Sequence, residues 1–247
     1  MESNTLLAMP IFNNGERYQL NKVVDDLKQR WGGNIIEIGG DDEAAVTDIA
    51  GQSVAIAFMS VPIPSGDIEG TAKYAYNWPR AIEDLADMSG HAIVSIMAGD
   101  GNPVERFMLL SKVLYSVLAT SSAIGVYQGG QSLLIPRRQY LGVMDNLDPG
   151  DIPLSLWIYI GLREYKSANC AYTYGLTEFN KKEIEVINSE LDLENLYEVL
   201  FNISSYVING DVTLNDGETI GYTAEHKIGI KCSKGEFVKG ESIKLLI

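Results

Sequence analysis

Apolar positions along the chain fall into short strand-like runs, interrupted by two kinds of spacing that predict helices and turns. Residues 5–11 form a continuous apolar run suited to a buried strand. Leu20, Val23, Val24, Leu27 and Trp31 then recur at helical spacing, and Gly32-Gly33 predicts the stop. A short strand is expected at 34–38, followed by a solvated acidic turn, Asp41-Asp42-Glu43. Runs at 44–49 and 53–61, joined by Ala50-Gly51-Gln52, predict a hairpin. Pro62 and Pro64 end it, because proline cannot donate to a sheet ladder. The segment 65–89 reads as mostly helical, broken at Trp78-Pro79, since the residue before proline is pushed out of the α region. Residues 91–98 read as a continuous apolar strand. Asn102, Pro103 and Glu105 then give the clearest helix start in the chain: a cap, a first-turn proline and the partner of a capping box. Phe107, Leu110, Leu114, Val117 and Leu118 give that helix a wide apolar face. A strand at 123–127, ended by Gly129-Gly130, and a short helix at 136–144 complete the first half.

The stretch 145–153, with Asp145, Asn146, Pro149, Gly150 and Pro153, marks a boundary. Beyond it, 156–165 and 169–177 read as long strands and 184–187 as a shorter one. Asp192 caps a helix carrying Leu193, Leu196, Tyr197, Leu200, Ile203 and Val207, and Asn209-Gly210 closes it. Asn215-Asp216-Gly217 is a turn signal, and 219–222, 226–232 and 242–247 are expected to be the closing strands. Strands often follow strands directly. The expected class is therefore α+β, with mixed or antiparallel sheets and packed helices. The first half resembles a split β-α-β layout and the second is strand-rich. Halves 1–148 and 149–247 are expected to pack as one unit.

Composition narrows the function classes. The 247 residues carry 33 Asp and Glu against 19 Lys and Arg, a net charge of −14. Hydrophobic residues at 46% and charged residues at 21% are globular proportions, not those of a disordered chain. The charge argues against general nucleic-acid binding and against docking on an anionic membrane. No run of about 18 apolar residues suggests a spanning segment. Met1-Glu2-Ser3-Asn4 lacks the basic start of a signal peptide, so a cytoplasmic location is expected. Cys170 and Cys232 both sit in apolar runs and are expected to be buried free thiols, with a single bridge left open. With His91 and His226 they form no CxxC, HExxH or HxH spacing, so no metal or cofactor is expected.

Three stretches are candidates for chemistry. Gly99-Asp100-Gly101-Asn102-Pro103 lies between strand and helix, where phosphate loops occur. Position 104 is Val, no P-loop lysine follows and Asp100 would repel a phosphate, so a plain connection is the better reading. Two prolines and two glycines at 62–71 hold Asp67 and Glu69 at a strand end. Paired carboxylates can do acid–base work or bind a hard cation; they can equally favour a helix start. With Trp78 and His91 they form a candidate pocket. Ser60 or Ser65 with His91 permits a hydrolase triad on paper, without a GxSxG elbow in support. Finally, ten acids and no Lys or Arg fall between Glu183 and Glu225. On the helix after Asp192, Glu194, Glu198, Asn202 and Ser205 fall opposite the Leu/Tyr face. A single-sign surface steers a basic partner; the plainer alternative is a solvated face.

Several stretches in order resemble a bacterial family known as domain of unknown function 4261. They are Ala8-Met9-Pro10, Val54-Ala55-Ile56-Ala57 leading to Pro62-Ile63-Pro64, Glu69-Gly70-Thr71 and Trp78-Pro79. They continue with His91-Ala92-Ile93-Val94-Ser95, Ala123-Ile124-Gly125-Val126-Tyr127 and Asp216-Gly217-Glu218-Thr219-Ile220-Gly221. The resemblance spans nearly the whole chain, implies no reaction and carries over no catalytic residue. It implies an interaction or immunity-type role beside toxins or secretion systems.

The leading expectation is a non-enzymatic cytoplasmic protein-binding protein of the toxin-neutralising type. Its acidic C-terminal surface, centred on Glu190, Asp192, Glu194 and Glu198, would cover a basic protein partner, a toxin or a secretion-associated protein. The alternative is an enzyme or small-ligand binder with a pocket near Asp67, Glu69, Trp78 and His91. A third expectation is self-assembly through apolar sheet edges.

Overall fold

Burial alternates at the start of the first strand: Leu6 and Ala8 are inside while Leu7 between them is exposed. The structure is a computed structural model describing residues 5–32, 35, 38–99, 101–165, 168–221 and 227–247. Gly33, Asp100, Tyr222, Glu225, His226, the N-terminal tetrapeptide and most of the 34–38 strand lie outside the described residues. The chain divides into two compact units, Met1–Pro149 and Gly150–Ile247, and the whole is α+β.

The first unit runs β1 (Leu6–Asn13), α1 (Leu20–Trp31), β2 (Gly39–Gly40), β3 (Ala44–Ile49) and β4 (Gln52–Met59). It continues with α2 (Ser65–Ala72), α3 (Ala81–Asp84), β5 (Met88–Gly99), α4 (Pro103–Thr120), β6 (Gly125–Gln128), β7 (Leu133–Pro136) and α5 (Arg137–Asp145). The sheet order is β2-β3-β4-β5-β1-β6-β7. Both β5 and β6 pair antiparallel with β1, so they run parallel to each other with β1 between them. With α4 as their connection this is a split β-α-β unit, as the order of elements predicts. The β3–β4 turn uses Ala50 and Gly51, both at positive φ (54° and 78°), the geometry of a tight hairpin.

Helix α4 supplies the main core of this unit. Asn102 Oδ1 accepts from Glu105 N–H at 3.0 Å, and Asn102 N–H donates to Glu105 Oε2 at 3.0 Å, which completes the capping box. Phe107, Leu110, Leu114, Val117 and Leu118 are buried, and α4 packs on α1, β1 and β5. A second apolar cluster gathers Ile11, Ile63, Ile68, Trp78, Leu85 and Leu134.

In the first unit two segments depart from the periodicity. The 65–89 segment forms an eight-residue helix and a four-residue one, not two substantial helices. Between them Trp78 is buried in the second cluster, and its Nε1 donates to Asp84 Oδ2 at 2.8 Å, which ties the 73–80 connection to the end of α3. Strand β7 escapes the pattern because it is four residues long and follows a tight turn with Ser132 at φ 52°.

The second unit runs β8 (Tyr159–Tyr165), β9 (Ala168–Tyr174), β10 (Ile184–Ser189), α6 (Leu193–Asn209), β11 (Thr219–Gly221), β12 (Lys227–Lys234) and β13 (Glu241–Leu246). The order is β11-β12-β13-β10-β9-β8, with β10 and β13 parallel and the other neighbours antiparallel. The two long strands expected at 156–165 and 169–177 are shorter, because tight 3₁₀ turns occupy Leu154–Leu156 and Leu176–Phe179. Those turns stack Trp157 on Phe179, centroids 5.6 Å apart. Helix α6 lies against β8 and β9 through a face that includes Leu196, Leu200, Ile203 and Val207. Cys170 is buried, Cys232 is only half-buried, and both thiols are free.

Asn102→Ala removes the side-chain half of the capping box, the bond from Glu105 N–H, while leaving the main-chain N–H of position 102 and the buried face of α4 intact. Urea unfolding should show a loss of about 1 kcal/mol, and Asn102→Asp should restore most of it.

Candidate functional site

The acidic stretch divides into an inner and an outer part. Strand alternation places Ile184 and Val186 on one face of β10 and Glu185 on the other. Glu185 is fully buried and stands beside Lys244 across the parallel β10–β13 pair. Its carboxylate accepts from Lys244 Nζ, from Ser242 Oγ and from the main-chain N–H groups of Glu236 (3.1 Å) and Phe237 (2.6 Å). Phe237 stacks on Tyr172 at 5.4 Å, and the Arg163 guanidinium lies over both rings. The β12–β13 loop is thereby folded back onto the sheet. Burial acts to raise the Glu185 carboxyl, but these donors outweigh it and hold it below its ordinary value.

Glu183 is also buried, at 5% exposure. It accepts from Thr173 Oγ1 and from Gly175 N–H, each at 2.7 Å. Here burial outweighs the hydrogen bonds and the carboxyl is pushed above its ordinary value. Reading the stretch as one charge run misses both residues. The available signal was local: Glu183 and Glu185 alternate with Ile184 and Val186 in a strand-like segment.

Further along, several acids have local roles. Asp211 pairs with Lys181 at 2.6 Å, Asp216 accepts from Cys232 N–H at 2.6 Å, and Glu218 accepts from Asn215 N–H at 2.9 Å. Glu190, Asp192, Glu194 and Glu198 are exposed. Asp192 caps α6, its Oδ1 accepting from Asn195 N–H at 2.8 Å. Among the described residues, no Lys or Arg lies within ion-pair distance of these four. Glu194, Glu198, Asn202 and Tyr206 follow one another at i, i+4 spacing along the exposed side of α6, and Tyr206 is 53% exposed. Ser205, expected in that stripe, is half-buried instead.

The four residues of the alternative pocket lie in the first unit. Asp67 and Glu69 are exposed on α2. Trp78 is a core residue bonded to Asp84, and His91 is buried with Nδ1 2.9 Å from the Val61 carbonyl oxygen. Asn102 spends its side chain and its N–H on the α4 cap. Among the described residues, no three His, Cys, Asp or Glu side chains converge in a metal-holding group. Among the same residues, no helix is long and apolar enough to cross a membrane.

Residues 172–246 match the family model Domain of unknown function (DUF4261). The DUF4261 match begins in β9 and ends in β13. It therefore contains Glu183, Glu185, all of α6 and Asp216–Gly221, the last of the stretches that suggest the resemblance. The earlier stretches, from Ala8 to Tyr127, lie outside the DUF4261 match. No curated protein and no solved structure matches the chain.

Glu185→Gln should leave the Lys244 ammonium, only 11% exposed, without its counter-charge. The expected loss is about 3 kcal/mol in urea unfolding at neutral pH. The two buried carboxylates have opposite pH signatures. Glu185, held low, adds stability above the ordinary value of 4.5 that is lost as pH falls through its folded value. Glu183, pushed high, adds stability that is complete below 4.5 and is lost as pH rises through its folded value. Unfolding midpoints measured across the acid range should lose the first dependence in Glu185→Gln and the second in Glu183→Gln.

Proposed function

We propose that this chain is a non-enzymatic protein-binding protein that covers a basic patch on its partner with the acidic N-terminal part of α6. The observation that carries this reading is the group Glu190, Asp192, Glu194 and Glu198. All four are exposed, and among the described residues no cation neutralises them. Surface carboxylates without partners gain little for the fold beyond the helix-dipole interaction of the first turn. They do produce a field of one sign, which speeds and orients the approach of a basic protein. The buried face of α6 holds the stripe in place, so binding would cost little ordering. Tyr206 continues the stripe with a side-chain type enriched at interfaces. The partner fits the toxin or secretion-associated class that the family resemblance implies.

The test begins with the tagged protein captured from its host and its partner identified by mass spectrometry. Glu194→Lys with Glu198→Lys should then slow association by about tenfold at low salt and flatten its salt dependence, with a smaller change in dissociation. Glu194→Gln with Glu198→Gln should fall between the two. An unchanged association rate and salt slope in both variants would sink the surface assignment.

A further inference from the structure

A cavity of about 310 Å³ opens beside the C-terminal end of α6, entirely inside the DUF4261 segment. Its floor is apolar: Ile184, Val207, Leu214 and Ile243 line it. Its polar lining includes Lys181, Lys182, Asp216 and Cys232. This is the size of a small-molecule site, and the pairing of an apolar floor with a few charged groups is how such sites hold and orient a ligand.

The charge of the lining sets the ligand's sign. Two lysines against one aspartate give 2 − 1 = +1 in a chain whose net charge is −14. The aspartate already serves the fold by accepting from Cys232 N–H at 2.6 Å. Both lysines hold carboxylates of the protein itself. Lys181 Nζ lies 2.6 Å from Asp211, whose side chain is 94% exposed, and Lys182 Nζ lies 2.9 Å from Glu241, whose side chain is 67% exposed. Neither of those carboxylates lines the cavity, whereas both lysines do. The carboxylate partners stand largely in solvent, where such pairs add little net stability, so an incoming anion can take their place on the lysines. The Lys181 side chain is only 9% exposed, so much of its stem is withdrawn from solvent.

We propose that this cavity binds a small carboxylate with an apolar body, its charge on Lys181 and Lys182 and its hydrocarbon on the Ile184–Val207–Leu214–Ile243 floor. The apolar floor favours this ligand over a bare inorganic anion, and the two lysines favour it over an amphipathic cation. The site is separate from the acidic stripe of α6, so it stands or falls independently of the protein-binding reading.

Cys232 provides a built-in probe. It lines the cavity and is half-buried, whereas Cys170 is fully buried. The intact protein is treated with a chromogenic disulfide reagent in the presence of octanoate, octylamine or inorganic phosphate. Octanoate should slow Cys232 modification saturably, and the other two should not. Amide NMR spectra recorded with octanoate should shift at Val212, Leu214, Cys232 and Ile243, which gives a readout independent of thiol reactivity. Lys181→Ala with Lys182→Ala should weaken octanoate binding by about tenfold, in line with loss of a charge-assisted contact. Val212→Trp, which fills the cavity from its lining and keeps both lysines, should abolish the effect. Protection by octylamine or phosphate equal to that by octanoate would overturn the proposal. So would the absence of both protection and amide shifts up to the solubility limit of octanoate.

Discussion

The second unit is organised around a charge that has no access to water. Glu185 stands on β10 beside the parallel strand β13, and four donors from two stretches of chain, the β12–β13 loop and β13 itself, converge on it. A buried carboxylate is costly unless it is paired and fully hydrogen-bonded, so the surroundings have little freedom. Lys244 and Ser242 must stand on the same face of β13, which fixes the register of that strand against β10. The Glu236 and Phe237 N–H groups must point inward, which folds the β12–β13 loop over the sheet and brings Phe237 onto Tyr172. Tyr172 in turn fits only because Gly161 lies beneath it: a Cβ there would stand 2.2 Å from the ring.

The first unit is held differently, by apolar layers and a central strand. β1 is paired on both sides, and α4 packs against it through a continuous apolar face. Its polar devices include the capping box of α4 and the turn of the β3–β4 hairpin, both at element ends. The chain thus uses two solutions to one problem. One unit specifies its register by packing and turn chemistry, the other by packing plus an internal ion pair.

This difference governs how much could be read from sequence. The α4 start, the β3–β4 hairpin, α6 and the α+β class all follow from local spacing and capping residues, and the structure has them. The short elements were hidden, because a four-residue strand such as β7 gives no periodicity to detect. The fate of Trp78 depends on a partner six positions on, which spacing rules do not rank. For the candidate site the limit was dimensional. Net charge along the chain cannot separate an acid on a helix surface from one inside a strand, so Glu183 and Glu185 fall in the same acidic run as Glu194 and Glu198. Lys244, the group that makes Glu185 tolerable, lies 59 positions away. The cavity beside α6 is non-local too, since its lining runs from Asn180 to Ile243.

The position of β13 has a consequence for how the second unit is made. It is the last strand of the sheet in sequence, yet it is inserted between β12 and β10. Until it arrives, β10 has an open edge, and such an edge invites pairing with a strand of another molecule. Long-range closure of this kind is slow, so the opening persists for part of the folding time. During that interval Glu185 is a charge on β10 without its Lys244 and Ser242 partners. An inward-pointing charge is one of the ways in which proteins discourage wrong edge pairing. A foreign strand would have to bury Glu185 without Lys244 and Ser242 to receive it. The same carboxylate that locks the finished sheet thus acts earlier as a gatekeeper, admitting the one strand that carries its counter-charge.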